Sequence, residues 1–126
     1  MLRNYKDLVV WQKAYSLCLD VYKLTKQFPD EEKYGLTSQI KRAAVSIPSN
    51  IAEGYGRKTT KEYIQFLYIA YGSLCELETQ LMLAKDLKYS RNMKEDTYIE
   101  NLMEVERMLK SLIKSLEKKI SVKKSS

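Results

Sequence analysis

No histidine occurs anywhere in the chain. That removes imidazole acid–base catalysis, Ser-His-Asp triads and His-ligated metals. It also removes the di-iron carboxylate bundle, which takes a Glu-x-x-His pair from each of two helices. Glycine occurs four times and proline twice in 126 residues, too few for the many tight turns of a sandwich or barrel. No apolar run reaches the ~20 residues of a membrane span, and no secretory signal opens the chain, so the expected setting is the cytoplasm with no membrane partner. The two cysteines, Cys18 and Cys75, fall on apolar helical spacing, and buried reduced thiols are expected rather than a disulfide. No glycine-rich loop is built to cradle phosphate; Gly54-Tyr55-Gly56 reads as a helix end. Glu76 and Glu78 are two apart on a helix and point to different faces, so they form no carboxylate dyad. No catalytic, cofactor or metal residue is therefore expected, and the chain reads as a non-enzyme.

What is present reads as helix. Four segments carry helical apolar spacing, at about 6–27, 32–55, 60–87 and 93–119, and all belong to one domain over 1–120. A basic, frayed tail is expected over 121–126. The first helix carries two adjacent seams. One is Leu8, Trp11, Tyr15, Cys18 and Tyr22; the other is Val10, Ala14, Leu17, Val21 and Leu24. Phe28-Pro29 ends it. The second runs across Pro48, where the missing N–H and the clash with the Ala44 carbonyl cost roughly 3 kcal/mol, so a kink is expected. Thr59 with Glu62 is a capping box that starts the third helix. Asn92 with Glu95 is a weaker start signal for the fourth.

The third helix has a heptad seam of Tyr63, Leu67, Ala70, Leu74, Leu77, Leu81 and Ala84, the spacing of bundle packing. A second apolar flank, Ile64, Tyr68, Tyr71, Cys75 and Met82, exceeds what one four-helix chain buries and is the expected oligomer interface. A wide core rich in the ten tyrosines is the alternative. On the second helix Gln39, Arg42, Ser46, Asn50 and Glu53 fall within an arc of about 80° beside the apolar face. Lys41 and Ser49 lie outside it and read as solvated. The short turn makes the second and third helices antiparallel, so residues at one level sum to roughly 116. Ser73 and Glu76, with Gln80, then face the stripe, and a structural polar network centred on an Arg42–Glu76 pair is expected, fixing register more than adding stability.

Lys and Arg number 22 against 16 Asp and Glu, a net charge of +6. The excess is local. Arg107, Lys110, Lys114, Lys118, Lys119, Lys123 and Lys124 stand near the end of the fourth helix against Glu117 alone. Arg57, Lys58 and Lys61 form a second group. Lysines at a helix C-terminus complement its dipole, but this run exceeds capping. Arg57, Lys58, Lys61, Lys110, Lys114, Lys118 and Lys119 are the candidate nucleic-acid contacts, acting on backbone phosphates without a sequence-reading motif.

Several stretches carry a resemblance: Asp7-Leu8-Val9-Val10-Trp11, Phe28-Pro29, Leu36-Thr37-Ser38-Gln39, the run from Arg42 to Gly54 (RAAVSIPSNIAEG), and Phe66-Leu67 through Ala84. Together they resemble the bacterial four-helix-bundle proteins encoded in intervening sequences of 23S ribosomal RNA genes. Tyr71 departs from the pattern, standing where a basic residue is expected. The resemblance implies an all-α, antiparallel up-down-up-down four-helix bundle that assembles into a ring-shaped homo-oligomer, a pentamer. A ring would repeat each basic patch around its axis. The fold is also similar to that of the accessory protein of reverse transcriptases in diversity-generating retroelements. The functional expectation is an oligomeric accessory module that binds structured RNA or other nucleic acid. The rival is a protein-only scaffold, for example for a reverse transcriptase.

Overall fold

Helical spacing becomes four helices: α1 (Val9–Thr25), α2 (Leu36–Tyr55), α3 (Thr60–Asp86) and α4 (Glu95–Ser125). The structure, a computed structural model, describes residues 4–90 and 95–125, with side chains placed for 4–90 and 98–122. There is no strand among the described residues. The expected Asn92 cap lies outside them.

The helix starts are sharper than the sequence suggested. Tyr5–Asp7 form a separate 3₁₀ turn, capped where Asn4 Oδ1 accepts the Lys6 N–H at 2.8 Å, and extended Leu8 delays α1 to Val9. Asp30–Glu32 form a second 3₁₀ turn, so α2 begins only after Gly35. There the cap is a distant side chain, because the Leu36 N–H donates to Glu32 Oε1 at 3.1 Å. The Tyr89 hydroxyl donates to the other oxygen of Glu32 at 2.5 Å, tying the start of α2 to the chain beyond α3. Thr59 caps α3 as its sequence indicated, accepting the Glu62 N–H at 3.2 Å and donating to Glu62 Oε2 at 3.0 Å. Lys88 closes α3 in the left-handed region (φ 59), and the Tyr89 N–H returns to the Ala84 carbonyl at 3.0 Å.

The second helix crosses Pro48 as the spacing indicated, and the end of the fourth changes. α2 is one continuous helix across Pro48, whose buried ring belongs to the interior. α4 continues through Ser125, past the expected end near Lys119. Ile120 is half-buried against the core one turn beyond buried Leu116, so apolar spacing carries the helix into the supposed tail.

One seam per helix meets in a single core: Leu17 and Val21 of α1, Ile40 and Ile47 of α2, Leu74 and Leu77 of α3, Val105 and Leu109 of α4. Only the Val10 to Leu24 seam of α1 is buried; the Trp11, Tyr15, Cys18, Tyr22 seam stays half-exposed or exposed. α2 and α3 lie closest. A Cβ added at Gly54 would stand 2.7 Å from Phe66 Cβ and 3.2 Å from the Tyr63 carbonyl oxygen. Farther from the turn Ser46 meets Ser73, so the two helices run back along each other.

Two glycines make opposite predictions. Gly54→Ala must push α3 backbone away and should destabilise by about 1–3 kcal/mol, as overpacking does. Nothing lies within 4 Å of a Cβ at Gly72, so Gly72→Ala should stabilise by roughly 0.8–1 kcal/mol through helix propensity. Urea denaturation of both variants checks the pair; equal effects would refute the close approach.

The Glu32 contact predicts a pH signature. The Tyr89 hydroxyl, and then the Leu36 N–H, hold the Glu32 carboxyl below its usual 4.5. In return the hydrogen bond to Glu32 raises the Tyr89 phenol above 10.0. A lowered carboxyl contributes stability that is present above pH 4.5 and lost as pH falls through the folded value. A raised phenol contributes stability lost as pH climbs through its folded value above 10. The stability advantage over Tyr89→Phe should therefore be flat near neutrality and shrink at both extremes. Thermal melts across pH test this, and an advantage independent of pH would count against the contact.

Candidate nucleic-acid interface

The close approach at Gly54 leaves a short turn before α3, and this turn carries Arg57 and Lys58. The Arg57 guanidinium lies over the Phe66 ring at 4.6 Å from its centroid, which holds it against α3 while leaving it exposed. Lys61 follows in the first turn of α3. The end of α4 runs beside that turn. A shallow cavity of about 390 Å³ is lined by Lys61 and Ile64 of α3 with Glu117, Ile120 and Ser121 of α4. A second, about 380 Å³, is lined by Thr60, Lys118, Lys119, Ile120 and Val122. The two basic groups, separate in sequence, thus meet at one end of the helices over an apolar floor.

The seven candidate contacts are all exposed but not equivalent. Arg57, Lys58, Lys61, Lys118 and Lys119 belong to the shared end, and Lys114 is exposed on α4 leading to it. Lys110 is already engaged: its ammonium pairs with Glu106 at 3.1 Å and lies 5.5 Å from the centre of the Tyr71 ring. The Glu106 hydrogen bond, then contact with Tyr71, raises its pKa. Lys123 and Lys124 have no described side chains. Beneath the turn, the Tyr63 hydroxyl is buried without a hydrogen-bond partner among the described residues. Burial first, and neighbouring Tyr55 second, push its phenol up to about 12.

The polar stripe is realised in part. Ser46 and Ser73 hydroxyls lie 2.7 Å apart, and Asn50 Nδ2 donates to the Ser46 carbonyl at 2.8 Å and to Ser46 Oγ at 2.9 Å. Gln39, Arg42 and Glu53 are exposed. The expected Arg42–Glu76 pair is not formed: Glu76 instead accepts from Gln80 Nε2 at 3.0 Å. The small residues face α3, and Arg42 sits on the outer edge of the stripe, where water solvates it more cheaply than a carboxylate could. Lys41, expected to be wholly solvated, is half-buried with its ammonium 5.1 Å from the Tyr22 ring centre.

The flank assigned to an oligomer interface is likewise divided. Ile64 is in the chain's own core. Tyr71 is half-buried beneath Lys110, and Tyr68 is exposed but donates to Glu117 Oε2 at 3.1 Å. Cys75 and Met82 are both exposed, and Met82 lines a groove with Ile99 and Leu102 of α4; Cys75 is not the buried thiol expected, because it stands ~100° around the helix from Leu74. Cys18 is half-buried, which raises its thiol pKa. Among the described residues no cluster of three Cys, Asp or Glu could hold a metal, and no helix is long and apolar enough to cross a membrane. Sequence reasoning missed the Arg57–Phe66 and Lys41–Tyr22 contacts. Their signal was the placement of tyrosine and phenylalanine beside basic residues on neighbouring helices.

The profile of a family described as "23S rRNA-intervening sequence protein" matches residues 6–111. Lys114, Lys118 and Lys119 lie beyond that match. Among solved structures, a crystal structure from Bacteroides thetaiotaomicron, described as a protein with unknown function from the S23 ribosomal protein family, is similar. The two share 27% identity with a TM-score of 0.76 over 84% of this chain and 96% of that one. No curated protein matches the chain.

Proposed function

We propose that this chain, which belongs to the 23S rRNA-intervening sequence protein family, is a non-enzymatic accessory protein that binds structured RNA or other nucleic acid through backbone phosphates. The meeting of the α2–α3 turn with the end of α4 carries this reading. It brings Lys61, Lys118 and Lys119 to the edges of two shallow cavities, with Arg57 and Lys58 in the adjoining turn. Lysine ammoniums on flexible stems suit phosphate contacts that tolerate sequence. The description of the family refers to 23S rRNA intervening sequences, which favours RNA among polyanions.

The proposal includes an up-down-up-down order and assembly into a ring-shaped homo-oligomer, a pentamer, in the cytoplasm. The order is supported by contacts between α3 and α4, where Tyr68 meets Glu117 and Leu81 shares a groove with Leu102. Assembly is supported by large apolar side chains left open on α3, among them Ile69, Met82 and Leu83. A protein-only scaffold is the second reading. One observation favours it: an apolar groove of about 290 Å³ between α3 and α4, lined by Leu81, Met82, Ile99 and Leu102. A reverse transcriptase is one partner such a scaffold would serve.

Titration of a labelled RNA hairpin at several salt concentrations tests the reading. Each phosphate neutralised contributes about −0.9 to the slope of log affinity against log salt for duplex DNA and about −0.7 for single strands. Replacing Lys61, Lys114, Lys118 and Lys119 together with glutamine should flatten the slope and leave the helices intact. Lys110→Gln should change it least, since that ammonium already faces Glu106. Failure of the wild type to bind at low salt, or an unchanged slope in the quadruple variant, would sink the RNA reading. Light scattering on the same samples should give several times the 14.8 kDa chain mass; a monomer mass would remove the ring.

A further inference from the structure

The unburied seam of α1 is largely aromatic, with Cys18 between Tyr15 and Tyr22. The Tyr5 ring meets Trp11 edge-on at 5.3 Å, and Trp11 stacks on Tyr15 at 5.1 Å with 24° between planes. Tyr15 is 49% exposed, so its ring remains open to solvent. Two turns farther along, about 10 Å by helix rise, Tyr22 is 39% exposed. Cations sit at both ends of this run. The Lys6 ammonium lies 5.9 Å from the Tyr5 ring centre, and the Lys41 ammonium of α2 lies 5.1 Å from that of Tyr22. Asp20 and Glu104 are occupied elsewhere, on the α4 side: Asp20 with Asn101 at 3.4 Å, and Glu104 with Lys13 at 3.0 Å. None of these rings lines the cavities at the lysine end.

The geometry points to a second nucleic-acid surface: the Tyr15–Tyr22 side of α1, with Lys6 and Lys41, is a stacking platform for unpaired bases of single-stranded RNA. Its chemistry differs from that of the lysine end. Any base offers a π-face to a tyrosine ring, so the contact is tolerant of sequence. Paired bases inside a helix cannot reach such a ring, so the platform selects single strands. Lys6 and Lys41 supply the charge that an RNA backbone needs, at either end of the rings. The inference rests on the RNA-binding reading above and refines it. The lysine end grips phosphates of a structured RNA, and the α1 face takes an unpaired segment of it.

The test compares a blunt RNA hairpin whose strands are joined by a non-nucleotide linker, and which therefore has no unpaired base, with a short oligouridine carrying 5-iodouridine, which crosslinks to aromatic side chains under light. Tyr15→Ala and Tyr22→Ala should each weaken oligouridine binding roughly tenfold, within the range for loss of one base–aromatic stack, and leave hairpin binding unchanged. Tyr15→Phe and Tyr22→Phe keep the rings and should bind as wild type. Crosslinks should map to the α1 tyrosines. Unchanged oligouridine affinity in the alanine variants, or crosslinks confined to other helices, overturns the platform and leaves the hairpin result to speak for phosphate binding. If the wild type binds neither RNA at low salt, both readings fall together. If the alanine variants lower the particle mass in light scattering but not RNA affinity, the face is a contact between copies of the chain and the platform is overturned.

Discussion

The absence of a side chain at Gly54 is the constraint on which the rest of the molecule depends. With Phe66 Cβ only 2.7 Å from where a Cβ would stand, no other residue lets α2 and α3 approach so closely without displacing backbone. That approach sets the register that brings Ser46 to Ser73 and seats Ile47, Ile51, Leu67 and Leu74 in one core. It also fixes the direction in which the chain leaves α2. Arg57 reaches Phe66, Lys61 enters the first turn of α3, and the basic group faces the end of α4. A core contact between backbones therefore positions the charged surface.

The polar contact between these helices is uncharged. Ser46, Asn50 and Ser73 satisfy one another within a partly buried seam. Hydrogen-bonded hydroxyls and amides each contribute about 0.5–1.5 kcal/mol net, without the several kcal/mol per ion that desolvating a guanidinium and a carboxylate costs. A short, neutral network gives directional register at small desolvation cost, and Arg42 remains in water. The Asn50 bond to the Ser46 carbonyl lies two residues along from Pro48's own disturbance of the helix ladder at Ala44, so this stretch of α2 is held by side chains as well as by backbone.

Much of the architecture was legible because helical spacing is a local property. The buried seams of α2, α3 and α4, the Thr59 cap and the two basic groups all follow from residues within a few turns of one another. Spacing also gave the level at which α2 meets α3, but it could not give the radial position of a side chain between two helices. Arg42 and Ser46 share one stripe, yet only Ser46 faces α3. In the same way Ile64 and Met82 share a flank of α3, and only the first is covered, because the path of α4 decides coverage. The Glu32–Tyr89 hydrogen bond joins residues 57 apart and has no local signature at all. The end of α4 was misjudged by composition: lysines and serines suggested a tail, while Ile120 continued the apolar repeat.

Trp11 is the sole tryptophan, and it lies on the outer aromatic seam of α1 rather than in the shared core. Its emission consequently reports the docking of α1 onto its neighbours, whereas far-ultraviolet dichroism sums over all four helices. The two signals watch different parts of the molecule during denaturation. Their transitions coincide only if α1 leaves the bundle in the same cooperative step in which α2, α3 and α4 melt. The position of one indole thus makes the cooperativity of the whole chain measurable by ordinary spectroscopy, with no label attached.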